Sequence, residues 1–118
     1  MKVLIIEDER PAAQKLVRLL EEIDHRIEVI AVVGSVERAT NWLIENPAPE
    51  LIFMDIQLED GISFEIFENT EIRTPVIFTT ADDEYTLKAF KVNSGDYLLN
   101  PIASQDLKAA IDKFNAYH

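Results

Sequence analysis

The chain has no cysteine, only two histidines (His25 and His118), and just three glycines, Gly34, Gly61 and Gly95. Without cysteine there is no disulfide framework, no thiolate metal site and no cysteine nucleophile. Two distant histidines do not make an imidazole-based metal site. The isolated glycines supply no glycine-rich phosphate loop, which argues against P-loop and dinucleotide-binding enzymes. Cations are also scarce: 11 Lys and Arg stand against 22 Asp and Glu, for a net charge of −11. Phosphate backbones are held by clustered cations, so these residues by themselves are not expected to bind nucleic acid. No apolar run approaches the roughly 18 residues of a membrane span. Met1-Lys2 leads directly into a strand-like run, leaving no room for a signal peptide, and the expected location is the cytoplasm.

What remains is a 118-residue chain, 47% hydrophobic and 28% charged, suited to one domain with one core. Apolar runs alternate with helical stripes. Residues 2–7 read as a strand buried on both faces. Pro11 suits the first turn of a helix, and Leu16, Leu19, Leu20 and Ile23 continue it at helical spacing. Ile27 to Val33 is a second strand, stopped at Gly34, with Ser35 as the N-cap of a helix through Val36, Ala39, Trp42 and Leu43. Leu51 to Met54 is a third strand. Gly61 opens a turn before a short helix, Phe64 to Glu68. Val76 to Thr79 is a fourth strand. A helix over Tyr85–Val92, a fifth strand over Asp96–Leu99 and a last helix capped by Ser104 complete the pattern. Five βα units predict a parallel sheet with right-handed crossovers and helices on both faces. The last helix runs nearly to His118, which suits a domain cut from a longer chain, though a free-standing protein could end the same way.

Three of the strands end in reactive side chains. The first runs into Glu7-Asp8-Glu9, the third into Asp55, and the fourth into Thr79-Thr80. The crevice at the carboxyl ends of an open parallel sheet is where ligands bind. Charge at a strand end commonly marks only where the chain surfaces, and paired threonines commonly reflect strand propensity. Converging carboxylates are different, because like charges are unfavourable unless a cation joins them or one is protonated. An all-oxygen donor set suits Mg²⁺. A strand-end Asp beside Mg²⁺ can also act as a nucleophile and form an acyl phosphate.

Four segments, IIEDE (5–9), FMDIQLEDG (53–61), FTTADDEYTLKAF (78–90) and DYLLNPI (96–102), occur in an order and spacing that resemble the receiver domain of a two-component response regulator. The resemblance covers the whole chain. The third and fourth segments resemble receivers of the LytR/AlgR type, which usually carry a C-terminal LytTR DNA-binding domain. It implies a flavodoxin-like (βα)5 doubly wound α/β fold with strand order 2-1-3-4-5. It also implies that Asp55 accepts a phosphoryl group from a sensor histidine kinase. Glu7 and Asp8 would fill the acidic-pair positions, with Mg²⁺ also held by Asp55 and the backbone carbonyl of Gln57. Thr80 fits the switch hydroxyl and Tyr97 the switch aromatic. Gln57 and Asp82 would lie at the pocket rim, where the family tunes phosphate lifetime. The signalling surface, and a homodimer, would use the fourth helix, fifth strand and fifth helix. Such a domain is a phosphorylated signalling module and not an enzyme. It would control transcription through DNA binding by the attached domain, with no membrane contact.

The pattern breaks at Asn100, where the family has a Lys before Pro101. Asn is shorter and neutral, so the pocket has one positive charge fewer. The Asn100–Pro101 bond stands where receivers commonly have a cis peptide. One alternative is a degenerate receiver that signals by protein contact alone. A haloacid-dehalogenase-like phosphatase would need a second Asp at position 57, which is Gln. A flavodoxin-type flavin binder would need a phosphate-binding loop after the first strand, and none is present.

Overall fold

The structure, a computed structural model, describes residues 1–81 and 94–117. Its elements run β1 (Lys2–Ile6), α1 (Arg10–Ile23), β2 (Glu28–Val33), α2 (Val36–Glu45), β3 (Leu51–Asp55), β4 (Gln57–Leu58), β5 (Gly61–Ile62), α3 (Phe64–Asn69), β6 (Val76–Thr80), β7 (Ser94–Leu99) and α4 (Ser104–Tyr117). Five strands form one parallel sheet in the order β2-β1-β3-β6-β7. Counted among themselves, these five strands have the expected order 2-1-3-4-5. Asp82 and the helix expected over Tyr85–Val92 lie outside the described residues.

The apolar runs are continuous because each central strand is covered on both faces. Successive side chains point to opposite faces of a strand, and the core divides accordingly. Val3, Ile5, Leu51, Phe53, Ile77 and Leu98 pack with Leu16 and Leu20 of α1 and Leu107 and Ile111 of α4. Leu4, Ile6, Ile52, Met54, Val76 and Phe78 pack on the other face with Ala39 of α2 and Ile66 of α3. Phe78 meets Phe64 edge-on, with ring centroids 5.4 Å apart.

Two local expectations are corrected. Gly61 does not open a turn: it begins the second leg of a small antiparallel hairpin, β4–β5, pairing with Leu58. Ser104 is the first residue of α4 and not its cap, since the Ala103 carbonyl accepts the Leu107 N–H at 3.1 Å. By contrast Ser35 caps α2 as expected, its hydroxyl accepting the Arg38 N–H at 3.0 Å.

Candidate functional site

The parallel register brings the strand ends to one level. Ile6 lies beside Met54, Asp55 beside Thr79, and Thr80 beside Leu99. Glu7 and Asp8 therefore emerge next to Asp55, and Asn100 next to Thr80. Glu7, Asp8, Asp55, Gln57, Thr80 and Asn100 all line one cleft of about 300 Å³. Each of Glu7, Asp8 and Asp55 offers a carboxylate oxygen, and these atoms lie within 4.8 Å of one another. A group of that geometry and chemistry is able to hold a hard cation.

Burial grades the three acids. Glu7 is only 7% exposed, Asp55 is half-buried and Asp8 is exposed. Glu7 is fixed by its backbone, whose N–H donates to the Val33 carbonyl at 2.9 Å. Its carboxylate accepts the Glu9 N–H at 3.2 Å. Burial, then the adjoining Asp55, pushes the Glu7 carboxyl from 4.5 up to about 8. Burial also raises Asp55, against hydrogen bonds from Glu7 and from the Gln57 N–H that favour its ionised form. Two ionised carboxylates so close in a half-dry cleft repel, so both are held toward their protonated forms unless a cation joins them.

Thr80 is 2% exposed, and its carbonyl accepts the Asn100 N–H at 2.7 Å. Tyr97 is half-buried and packs in the core on the α2–α3 side. It pairs in register with Phe78, two residues before Thr80, so Tyr97 and Thr80 share a sheet face. The Asn100–Pro101 bond is cis. Besides Asn100, the cleft is lined by Glu9, Leu58 and Ala81, with no Lys or Arg among the described lining residues.

The roles of two residues at the site were not read from the sequence. Gly34 follows β2 and lies against Asp8, and a Cβ there would sit 3.3 Å from the Asp8 Cα. A side chain there would press Asp8 to shift by a few tenths of an ångström. Asp60, at the tip of the β4–β5 hairpin, accepts the N–H groups of Val36 at 2.7 Å and Glu37 at 3.2 Å. These bonds to the start of α2 hold its carboxyl below the usual carboxylate range. Nothing local in the sequence names its partner helix.

Residues 3–112 match the family model for the response regulator receiver domain. The chain is 36% identical over 117 residues to sensory transduction protein LytT of Bacillus anthracis, covering 97% of this chain and 47% of that protein. It is 36% identical over 118 residues to the positive alginate biosynthesis regulatory protein of Pseudomonas aeruginosa, covering 96% and 46%. The chain thus spans about half the length of these relatives. Among solved structures, the response regulatory domain of protein mrkE from Klebsiella pneumoniae superposes with a TM-score of 0.88 at 25% identity, covering 99% of this chain and 97% of that one. Family model, relatives and fold agree with the strand-end cleft: the chain belongs to the response regulator receiver domains.

Proposed function

We propose that this receiver is switched by phosphorylation of Asp55, with Mg²⁺ held by Glu7, Asp8, Asp55 and the backbone carbonyl of Gln57. The convergence of three carboxylate oxygens within 4.8 Å beside Thr80 carries this reading. The donors are all oxygen, which fits Mg²⁺. When bound, Mg²⁺ would offset the charge of the acids and of the transferred phosphoryl group.

The donor is a phosphohistidine of a sensor kinase. A carboxylate oxygen of Asp55 attacks phosphorus, an O–P bond forms and the N–P bond breaks. The ring, protonated on its other nitrogen, leaves as neutral imidazole. The chain is the acceptor in this transfer and not a turnover enzyme. Thr80 then turns its hydroxyl toward the phosphoryl oxygens, and Tyr97, on the same sheet face, moves inward into the space released. The altered surface comprises β7 and α4 together with the residues preceding β7, and it pairs two copies of the chain. Through a C-terminal LytTR domain the pairing would act on DNA in the cytoplasm. The half-length match to the relatives supports that longer architecture.

The test is incubation with acetyl phosphate and Mg²⁺ followed by intact mass. Gain of one phosphoryl group, absent in Asp55→Ala, is expected. No mass gain in the parent chain, or an equal gain in the variant, would sink the proposal. Asn100 favours a second reading, an interaction module that works without phosphate, because the described residues of the cleft lining include no cation to meet a phosphoryl group. Under that reading beryllofluoride with Mg²⁺ leaves the Thr80 and Tyr97 environments unchanged.

A further inference from the structure

Gln57 sits on β4, the first leg of the hairpin, and Asp60 at its tip. The hairpin is short, two residues a leg, and such a unit has little stability of its own. Its base is tied twice: the Ile56 N–H donates to the Thr79 carbonyl at 3.2 Å, and the Ser63 N–H to the Ile56 carbonyl at 2.8 Å. Its tip is held by Asp60, which reaches across 24 residues of sequence to the Val36 N–H at 2.7 Å and on to the Glu37 N–H at 3.2 Å. Both oxygens of one carboxylate are used, one per N–H, so the tip is fixed in direction as well as distance. The helix it grips begins two residues after Gly34, the residue packed against Asp8. One turn of chain thus abuts a metal-site acid on one side and anchors the Gln57 hairpin on the other.

We propose that Asp60 is a positioning residue: by tethering the hairpin tip to the start of α2, it holds the Gln57 carbonyl in line with Glu7, Asp8 and Asp55 for a divalent cation. The inference rests on the Mg²⁺ reading given above. A helix start also gains stability from any cap, so stability alone does not separate positioning from capping. Ser35 provides the separation. It caps the same helix through the Arg38 N–H, a bond that lies wholly at the helix start and not at the hairpin.

The experiment is calorimetric titration of Mg²⁺ into this chain and into Asp60→Ala, Asp60→Asn and Ser35→Ala, each with a thermal melt. The parent chain binds. Ser35→Ala melts lower but keeps the parent affinity. Asp60→Ala binds about tenfold more weakly, the lower range for partners that orient metal ligands. Asp60→Asn, which keeps one acceptor oxygen, recovers part of the loss and guards against an unfolded Ala variant. Parent affinity in both folded Asp60 variants, or equal weakening in Ser35→Ala, overturns the positioning role while leaving the Mg²⁺ site standing. Failure of the parent chain itself to bind Mg²⁺ overturns the site and the inference together.

Discussion

Glu7 shows how one residue's burial becomes a property of the whole fold. Its carboxyl sits 7% exposed beside Asp55 and moves from 4.5 to about 8. An acid whose folded-state pKa lies above its unfolded value holds its proton more tightly when folded. Unfolding then releases a proton between those values, so stability falls as pH rises. The contribution of Glu7 is fully present below about 4.5 and lost as pH passes through about 8. Asp55, also raised, acts in the same direction. In chelator, the melting temperature is therefore expected to drop from pH 5 to pH 8. Glu7→Gln, neutral at every pH, should flatten that slope. Melts that decline equally in parent and variant would show that Glu7 is not the group responsible. Asn100 belongs to the same scale. With no Lys or Arg among the described lining residues, the acids there depend on a bound cation or a retained proton for relief.

At the scale of elements, Gly61 links sequence to site. It has a φ of +154°, and a Cβ there would lie 2.7 Å from the Glu65 Oε2. Left-side backbone of this kind is open to glycine and strained for other residues. Gly61→Ala is expected to cost about 1–3 kcal/mol, lowering the melting temperature by several degrees. Glu65 is a flexible side chain able to move aside, so the backbone supplies the greater part. An unchanged melting temperature would contradict this. The five sheet strands were legible because strands covered on both faces are written as continuous apolar runs. The strand-end acids were legible for the same reason, since each interrupts such a run. The hairpin was not, because legs of two residues carry no period to detect. Asp60 was not, because its partners lie 23 and 24 residues away. Gly34 was read as a strand stop, and its second role, making room for Asp8, exists only once β1 and β2 are paired. At Ser104 a good cap residue fell one place inside the helix, with Ala103 at the boundary.

At the scale of the molecule, charge and surface act against each other. A net charge of −11 makes two copies repel, while the β7–α4 side offers apolar ground. Leu99 is 51% exposed. Beside it, Tyr97, Asp106, Ala109 and Lys113 line a shallow groove of about 430 Å³. In a two-fold pair each patch is used twice, so Leu99 of one copy is free to meet the Ala109 surface of the other, with Asp106 and Lys113 in reach of opposite charges. The proposed dimer is expected to form with beryllofluoride and Mg²⁺ and to tighten as salt rises from low to physiological, since screening relieves the long-range repulsion. A pair held mainly by the Asp106 and Lys113 charges would instead weaken with salt. Leu99→Asp places a new carboxylate in the interface twice over. A change of about 1.4 kcal/mol for each copy would weaken dimerisation about 100-fold, with beryllofluoride binding to the monomer kept. Sedimentation velocity at two salt concentrations reads all of these outcomes, and a Leu99→Asp chain that dimerises like the parent would place the contact on another face.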